Sequence, residues 1–144
     1  MNDPYDLQRF VDAQAGVYDT VVDELRGGRK RSHWIWFVFP QLTGLGSSPT
    51  SVRYAISSLA EAQAYLRHDV LGPRLRECTR LVNAIQGRSI EQIFGWPDNL
   101  KVRSSMTLFV RASHDNDEFV TLLGKYYNGG EDPATVARLS GAKS

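Results

Sequence analysis

Apolar residues recur at steps of three and four along most of this chain, which is the period of an amphipathic helix. The first stripe consists of Leu7, Val11, Gln14, Tyr18, Val22 and Leu25. Asp3-Pro4 precedes it and is typical of a helix start, because Asp caps the backbone N–H groups and Pro fits the first turn. Gly27-Gly28 ends the stripe. Gly16 marks a point at which it can divide into two helices.

Capping residues predict further helices downstream. Ser58 opens a capping box before a helix over Leu59–Arg67, and Ser89 opens one before a short helix that stops at Gly95. The remaining helices are predicted to begin at Gly72, Pro97, Asp117 and, for a terminal turn, Asp132. The expected fold is therefore mainly α, in one compact domain.

One stretch departs from the helical period. Trp34 to Phe39 are six consecutive apolar residues, and burying each large side chain is worth roughly 1.5–3 kcal/mol. The run must therefore cross the interior, either as a buried strand or as a short helix with Ser32 as its N-cap, since periodicity does not separate the two. A small strand pair at Trp34–Phe39 or Val52–Ile56 gives the alternative class, α+β. The glycine-rich segment Leu42–Ser51 is predicted to be a loop.

Size and composition indicate an ordinary globular protein. The 144 residues suit a single domain, with about 4–140 as its ordered core and a frayed tail at 142–144. Apolar residues make up 42% of the chain, and the net charge of +1 favours neither a membrane surface nor nucleic acid. The single cysteine, Cys78, and the absence of a signal peptide fit a cytoplasmic protein. A homo-oligomer is compatible with this composition but is not indicated by it.

No spacing of His or Cys predicts a metal site, and no loop matches a known cofactor motif. Neither a metal nor a cofactor is therefore expected. Gly44-Leu45-Gly46 could let backbone N–H groups approach an anion, or it could be a simple turn. Arg29 to Arg31 are either a solvated loop or a phosphate clamp beside a pocket. Three cations are too few to predict nucleic-acid binding.

Several polar side chains interrupt or flank the buried stripes. Gln14 lies on an apolar face and either bonds to backbone in the core or contacts a ligand. Lys30, Ser32 and His33 precede the apolar run, and Gln41 follows it. His33 is the best acid–base candidate by position, although a structural histidine bonded to a carbonyl fits equally well.

A second polar group is predicted on the helix that begins at Pro97. Lys101, Ser104 and Ser105 fall within one turn, so an ammonium and two hydroxyls gather on one side. This group could bind a phosphate or a sugar hydroxyl, or it could be a partly exposed polar flank. Asp98 lies at the start of the same helix.

Four segments carry a resemblance to a known family, the bacterial domain of unknown function 1810 family. The segments are residues 6–14, 29–41, 66–75 and 101–109. The resemblance spans nearly the whole chain and implies a single-domain protein without an assigned reaction. Some members carry the label calpastatin, but nothing in these residues supports protease inhibition.

A more distant resemblance is to the NADAR (YbiA-like) domains, which are largely helical and act on ADP-ribose and N-ribosyl compounds. It rests on Ala13-Gln14 on the first helix. Those domains use an acidic residue just upstream, where this chain has Gln8, with Asp6 and Asp12 nearby. The resemblance therefore implies binding of a nucleotide-sugar ligand more directly than glycosidase chemistry.

Two functions follow as hypotheses. In the first, the protein binds or hydrolyses a nucleotide-sugar compound, with Trp34 or Trp36 stacking on a ring. The other expected ligand contacts are Gln14, Lys30, Ser32, Gln41, Ser104 and Ser105, and the candidate catalytic residues are His33, Lys101 and Asp98. In the second, the chain is a non-catalytic interaction domain in which the apolar stretch 34–39, here called the aromatic run, is structural. RNA binding through Arg29 to Arg31 is a weaker third hypothesis, which predicts strong salt dependence.

Overall fold

The structure, a computed structural model, describes residues 3–141, and over that range the chain forms ten helices. They are α1 Gln8–Gln14, α2 Tyr18–Arg26, α3 Ile35–Val38, α4 Pro49–Arg53, α5 Leu59–Arg67, α6 Leu71–Ala84, α7 Ile90–Phe94, α8 Asp98–Ala112, α9 Asp117–Tyr127 and α10 Pro133–Gly141. The mainly α prediction is confirmed. The predicted fraying of 142–144 lies outside the described residues. None of the described helices is long and apolar enough to cross a membrane.

The first apolar stripe does divide at Gly16, whose φ of +79° suits glycine. Its predicted start was wrong, because α1 begins at Gln8 and not directly after Asp3. Asp6 has a φ of +53°, which interrupts a helix before that point. The Asp3 carboxylate still accepts hydrogen bonds from the backbone N–H groups of Leu7 and Gln8, at 2.8 and 2.9 Å, so it caps the helix from five residues upstream.

The six-residue apolar run forms one helical turn, α3, and the strand pair offered as the alternative is absent from residues 3–141. The β-pairing described there is a single isolated bridge between Leu42 and Ile56. Val52, expected in a strand, lies in α4. Ser32 is not the N-cap of α3, since Trp34 occupies that position without a side-chain cap.

The capping prediction at Ser89 is confirmed in full, with both reciprocal hydrogen bonds to Gln92. Ser58 caps α5 over the predicted range, but the Glu61 carboxylate bonds to Ser57 and not back to Ser58. One boundary and one cap were wrong. The predicted loop 42–51 contains the start of α4. Helix α9 does begin at Asp117, but the N-cap, expected to be Asp117 itself, is Asn116.

Helix α8 is the centre of the domain. Nine of its 15 residues are buried, and it packs against α3, α5, α7, α9 and α10. Helix α6 forms a second layer that contacts α2, α5 and α9. The first turn of α8 reaches the surface between α3 and α7, and this placement brings Asp98 and Lys101 beside the aromatic run.

Candidate functional site

Asp98 joins two of the predicted site lysines. Its Oδ2 lies 2.9 Å from Nζ of Lys30, and its Oδ1 lies 3.4 Å from Nζ of Lys101. Lys30 belongs to the basic turn before α3, which consists of residues 29–31, whereas Lys101 belongs to the first turn of α8. One carboxylate therefore holds two ammonium groups from separate segments, and this Lys30–Asp98–Lys101 cluster carries a net positive charge.

Each lysine of the cluster also lies over a tryptophan of the aromatic run. Nζ of Lys30 is 5.3 Å from the centre of the Trp34 ring, and Nζ of Lys101 is 5.1 Å from that of Trp36. Both distances fall within the range of cation–π attraction. The aromatic run and the start of α8 thus meet as the sequence suggested, through paired Lys–Trp contacts on either side of Asp98.

Trp34 and Trp36 differ in what they can offer a ligand. Trp34 is 2% exposed, and its Nε1 donates to Glu24 at 2.9 Å, so its ring is a core element that presents no open face. Trp36 is half-buried, and its buried Nε1 has no hydrogen-bond partner among residues 3–141. Trp36 is therefore the one of the two with an unsatisfied donor.

Glu24, which sequence reasoning missed, fixes the basic turn in place. Its carboxylate accepts from the backbone N–H groups of Arg31 and Ser32, from Oγ of Ser32 and from the indole N–H of Trp34. Burial acts to raise the pKa of Glu24, but these hydrogen bonds together outweigh it and lower the pKa to about 2. Ser32 thus positions the turn, and its hydroxyl is already used by the protein.

Only some of the polar side chains on α8 have all of their polar atoms hydrogen-bonded. Oγ of Ser104 donates to the Leu100 carbonyl at 3.2 Å, which is ordinary behaviour for a helical serine. Ser105 lies one turn beyond Lys101 on the same face, and its buried Oγ has no partner in the described part of the chain. Asn99, in the first turn of α8, likewise leaves its Oδ1 unpaired.

Few buried polar atoms in the described structure are unpaired. Between residues 3 and 141, four buried side-chain N or O atoms lack a hydrogen bond, and three of them belong to Trp36, Asn99 and Ser105 on α3 and α8. Buried polar atoms are normally paired, so each exception calls for a partner. Helices α3 and α8 therefore carry most of the unused hydrogen-bonding capacity among the buried side chains described.

Gln14 lies apart from this cluster and is fully occupied. Its Nε2 donates to the Phe37 carbonyl at 2.7 Å, and its Oε1 accepts from Arg74 at 3.2 Å. This arrangement matches the expectation of a core glutamine bonded to backbone. Nearby, burial raises the pKa of the Cys78 thiol to about 12, which keeps that thiol protonated.

Gln41 and His33 occupy different environments. Gln41 shares with Trp36 a hollow of about 10 Å³, which is close to the volume that holds one water molecule. His33 is exposed, and within residues 3–141 its side chain makes no hydrogen bond or ion pair. His33 therefore has no hydrogen bond or ion pair with the Lys30–Asp98–Lys101 cluster.

A recess of about 400 Å³ adjoins the cluster at Lys30. Its walls include Arg29, Lys30, Arg88, Glu91, Gln92 and Gly95. Arg29 was recognised from sequence as a possible phosphate clamp beside a pocket. Arg88 was not, because a lone arginine before a capping serine gives no signal of its own. Arg29 follows α2 and Arg88 precedes α7, so the recess gathers cations from two separate segments at one opening.

A larger cavity, of about 930 Å³, lies elsewhere. Its walls include Leu42, Thr43, Ser58, Leu59, Arg111 and Arg138, and none of the site residues predicted from sequence is among its lining residues. Arg111 is already neutralised by a two-bond contact with Glu131, at 2.9 and 2.7 Å. Cavity size alone would place a binding site in this second cavity. The converging charges and unpaired hydrogen-bonding groups instead favour the Lys30–Asp98–Lys101 cluster, and they are the chemically more specific evidence.

Across residues 3–141, no group of three or more His, Cys, Asp or Glu side chains could hold a metal ion. The chemistry of the candidate site is instead that of ammonium and guanidinium groups, one carboxylate and aromatic rings. Such a set suits an anionic ligand with a planar part.

Comparison with known proteins places the chain in a family. The crystal structure described as the conserved hypothetical protein Rv1873 from Mycobacterium tuberculosis at 1.38 Å is 72% identical to it, with a TM-score of 0.95, over 96% of this chain and 99% of that one. No curated protein matches the sequence. The family described as "Protein of unknown function (DUF1810)" matches residues 4–139. The chain therefore belongs to the DUF1810 family.

Proposed function

We propose that this protein binds a small phosphorylated ribose compound of the nucleotide-sugar type, such as ADP-ribose or an N-ribosyl phosphate, at the Lys30–Asp98–Lys101 cluster. The observation that carries the proposal is the double bridge of Asp98 to two lysines, 2.9 and 3.4 Å away. One carboxylate offsets one of the two positive charges, so a positive charge is left to attract an anion.

The neighbouring groups support a ligand that is more than a bare phosphate. Trp36 is half-buried and lies beside Lys101, so the exposed part of its ring can contact a sugar ring. Ser105 is fully buried and does not take part in this contact. The distant resemblance to NADAR domains supports the choice of ADP-ribose and N-ribosyl compounds as the first ligands to test.

The proposal is one of binding, and the geometry gives it more support than catalysis. Asp98 is engaged by both lysines, and the exposed His33 has no described partner that would orient its ring. A general base usually needs such an orienting contact. Hydrolysis of an N-glycosidic bond would therefore require a rearrangement around His33 that binding alone does not.

Thermal unfolding in the presence of ADP-ribose, NAD and ribose 5-phosphate tests the proposal. A ligand at about 100 times its dissociation constant adds roughly 2.7 kcal/mol to the free energy of unfolding. For a domain of this size that corresponds to a rise in Tm of about 5 °C or more. Lys101→Ala should abolish most of the rise, because it removes an ammonium group of the cluster.

Lys125→Ala is the matched control. Lys125 also lies over an aromatic ring, that of Tyr126 at 5.1 Å, but its ammonium donates to the Asn83 and Ile85 carbonyls instead of a carboxylate. Its ligand-induced rise in Tm should equal that of the unmodified protein. The proposal fails if no compound raises Tm, or if Lys101→Ala and Lys125→Ala reduce the rise equally.

A further inference from the structure

Trp96 is the most exposed large apolar side chain described, at 77% of its surface. Tryptophan has a large flat ring whose burial is strongly favourable, so an exposed indole is available to stack on the ring of a ligand. Leu100, one helical turn further along, is 49% exposed. Trp96 lies in the turn before α8 and Leu100 lies in the first turn of that helix, so these two exposed apolar residues, here called the apolar platform, both lie at the start of α8.

The backbone holds this platform beside the candidate site. Gly95, directly before Trp96, lines the 400 Å³ recess, and Asp98, two residues after it, bridges the two lysines. The Gly95 carbonyl accepts from the Asn99 N–H at 2.9 Å, which ties the turn to α8. Along the chain, Trp96 therefore lies between a residue that lines the recess and the residue that bridges the two lysines.

The recess that Gly95 lines contains two cations without an ion-pair partner. Neither Arg29 nor Arg88 forms an ion pair with any residue between 3 and 141. Arg88 also packs against Gly28, where a Cβ would come within 3.1 Å of its Nε. Glu91 is the one acidic residue among the lining side chains, so cations outnumber acids at the opening.

We infer that Trp96 and this recess form a nucleotide subsite: the base stacks on the Trp96 indole, and the phosphate groups bind Arg29, Arg88 and Lys30. The inference rests on the proposed function and specifies its ligand as one that carries a base, such as ADP-ribose. It also moves to Trp96 the stacking role that was expected of Trp34 or Trp36. The ring of Trp34 is enclosed by Phe39 and Phe94. Nucleotides bind through stacking of the base on an aromatic face and through contacts of the phosphates with guanidinium groups, and the segments around Gly95 supply both kinds of group.

Isothermal titration with two probes separates the parts of this subsite. ADP-ribose carries both the base and the phosphates, whereas ribose 5-phosphate lacks the base. Loss of one base stack costs about 1–3 kcal/mol, or roughly 5- to 150-fold in affinity. Trp96→Ala should therefore weaken ADP-ribose by about tenfold or more and ribose 5-phosphate far less. Trp96→Phe, which keeps an aromatic face, should retain most of the ADP-ribose affinity.

Arg88→Ala should weaken both probes, since both carry phosphate. Val120→Ala serves as the control for exposed apolar surface, because Val120 is 49% exposed on α9 and lines none of the cavities described above. It should leave both affinities unchanged. Trp96 is exposed, so its variants are expected to fold, and far-ultraviolet circular dichroism verifies this before titration.

The outcomes distinguish this inference from the proposed function. If ADP-ribose binds and Trp96→Ala binds it equally well, the stacking subsite is wrong while the binding proposal stands. If neither probe binds the unmodified protein, both are wrong. If a single-stranded oligonucleotide binds much more tightly than ADP-ribose, with a steep dependence on salt, the ligand is a nucleic acid and the small-molecule subsite is overturned.

Discussion

Nζ of Lys30 lies 2.9 Å from Oδ2 of Asp98, and the two side chains are only 7% and 18% exposed. This ion pair fastens the basic turn before α3 to the first residue of α8, the central helix. The partners are 68 positions apart in the chain. The pair therefore contributes to the fold as well as to the candidate site.

Asp98→Asn is expected to destabilise the protein by about 1–3 kcal/mol. The change leaves the Lys30 ammonium, which is largely withdrawn from solvent, without a counter-charge, and an uncompensated buried charge is costly. The expected cost is below that of a fully buried pair because the Asp98 side chain is 18% exposed, so solvent reaches the site. Equilibrium unfolding in urea measures the change in free energy.

The control for this experiment is Glu131→Gln, which breaks a pair that is more open to solvent. The Arg111 and Glu131 side chains are 44% and 30% exposed, and exposed ion pairs contribute about 0–1 kcal/mol. The loss should therefore be smaller than for Asp98→Asn. Equal losses would mean that burial of Lys30 has no energetic consequence.

The stability of the protein is expected to fall in acid partly through Glu24. Its pKa is lowered from 4.5 to about 2 in the folded state, so the ionised carboxylate is favoured by folding. That stabilisation is present above the unfolded pKa, near 4.5, and is lost as the pH falls toward 2. A shift of this size corresponds to at most about 3 kcal/mol.

Glu24→Gln isolates this contribution. The variant should be less stable at pH 6, because an amide cannot accept all four hydrogen bonds that the carboxylate receives. Between pH 6 and pH 3 it should lose less stability than the unmodified protein. Asp23→Asn, an exposed neighbour on α2, should keep the original pH dependence. Parallel pH curves for the unmodified protein and Glu24→Gln would contradict the assignment.

Much of the fold could be predicted from the sequence because the signals were local. Ser58 and Ser89 cap the helices they were expected to cap, and Gly16 breaks the first stripe, since caps and glycines act through nearby backbone groups. The α1 start was predicted wrongly because the positive φ of Asp6 carries no strong sequence signal. The turn α3 remained ambiguous because a fully buried run has no polar side to reveal its period.

The candidate site depends on contacts that sequence spacing does not encode. That Lys101 and the aromatic run meet was a hypothesis, and the structure places them in contact through Trp36. Glu24 was not identified, because an acidic residue on the solvated side of a helix looks ordinary until the chain folds back on it. Trp96 was also passed over, since nothing in Gly95-Trp96-Pro97 distinguishes an exposed tryptophan from a buried one.

Gln14→Met is expected to destabilise the protein by about 1–3 kcal/mol. The substitution keeps the shape of the side chain but removes the donor to the Phe37 carbonyl and the acceptor for Arg74, and unpaired buried polar groups are costly. Gln63→Met on α5 is the control, because Gln63 makes no hydrogen bond with another described residue through its side chain. Urea unfolding that gives equal losses for both variants would argue that the Gln14 amide has no structural role.

Two glycines in helices should respond oppositely to alanine. A Cβ on Gly72, in the first turn of α6, would lie 2.1 Å from the Leu66 carbonyl oxygen, whereas a Cβ on Gly124, inside α9, would meet no atom within 4 Å. Alanine is favoured over glycine in a helix by about 1 kcal/mol, so Gly124→Ala should stabilise the protein by about 0.5–1 kcal/mol.

Gly72→Ala gains the same helix propensity but must push α5 and α6 apart, since the obstacle is a backbone oxygen and cannot rotate away. We expect a net loss of roughly 1–3 kcal/mol. Opposite shifts in Tm by calorimetry are the expected result, and a stabilising Gly72→Ala would mean that the two helices separate without cost.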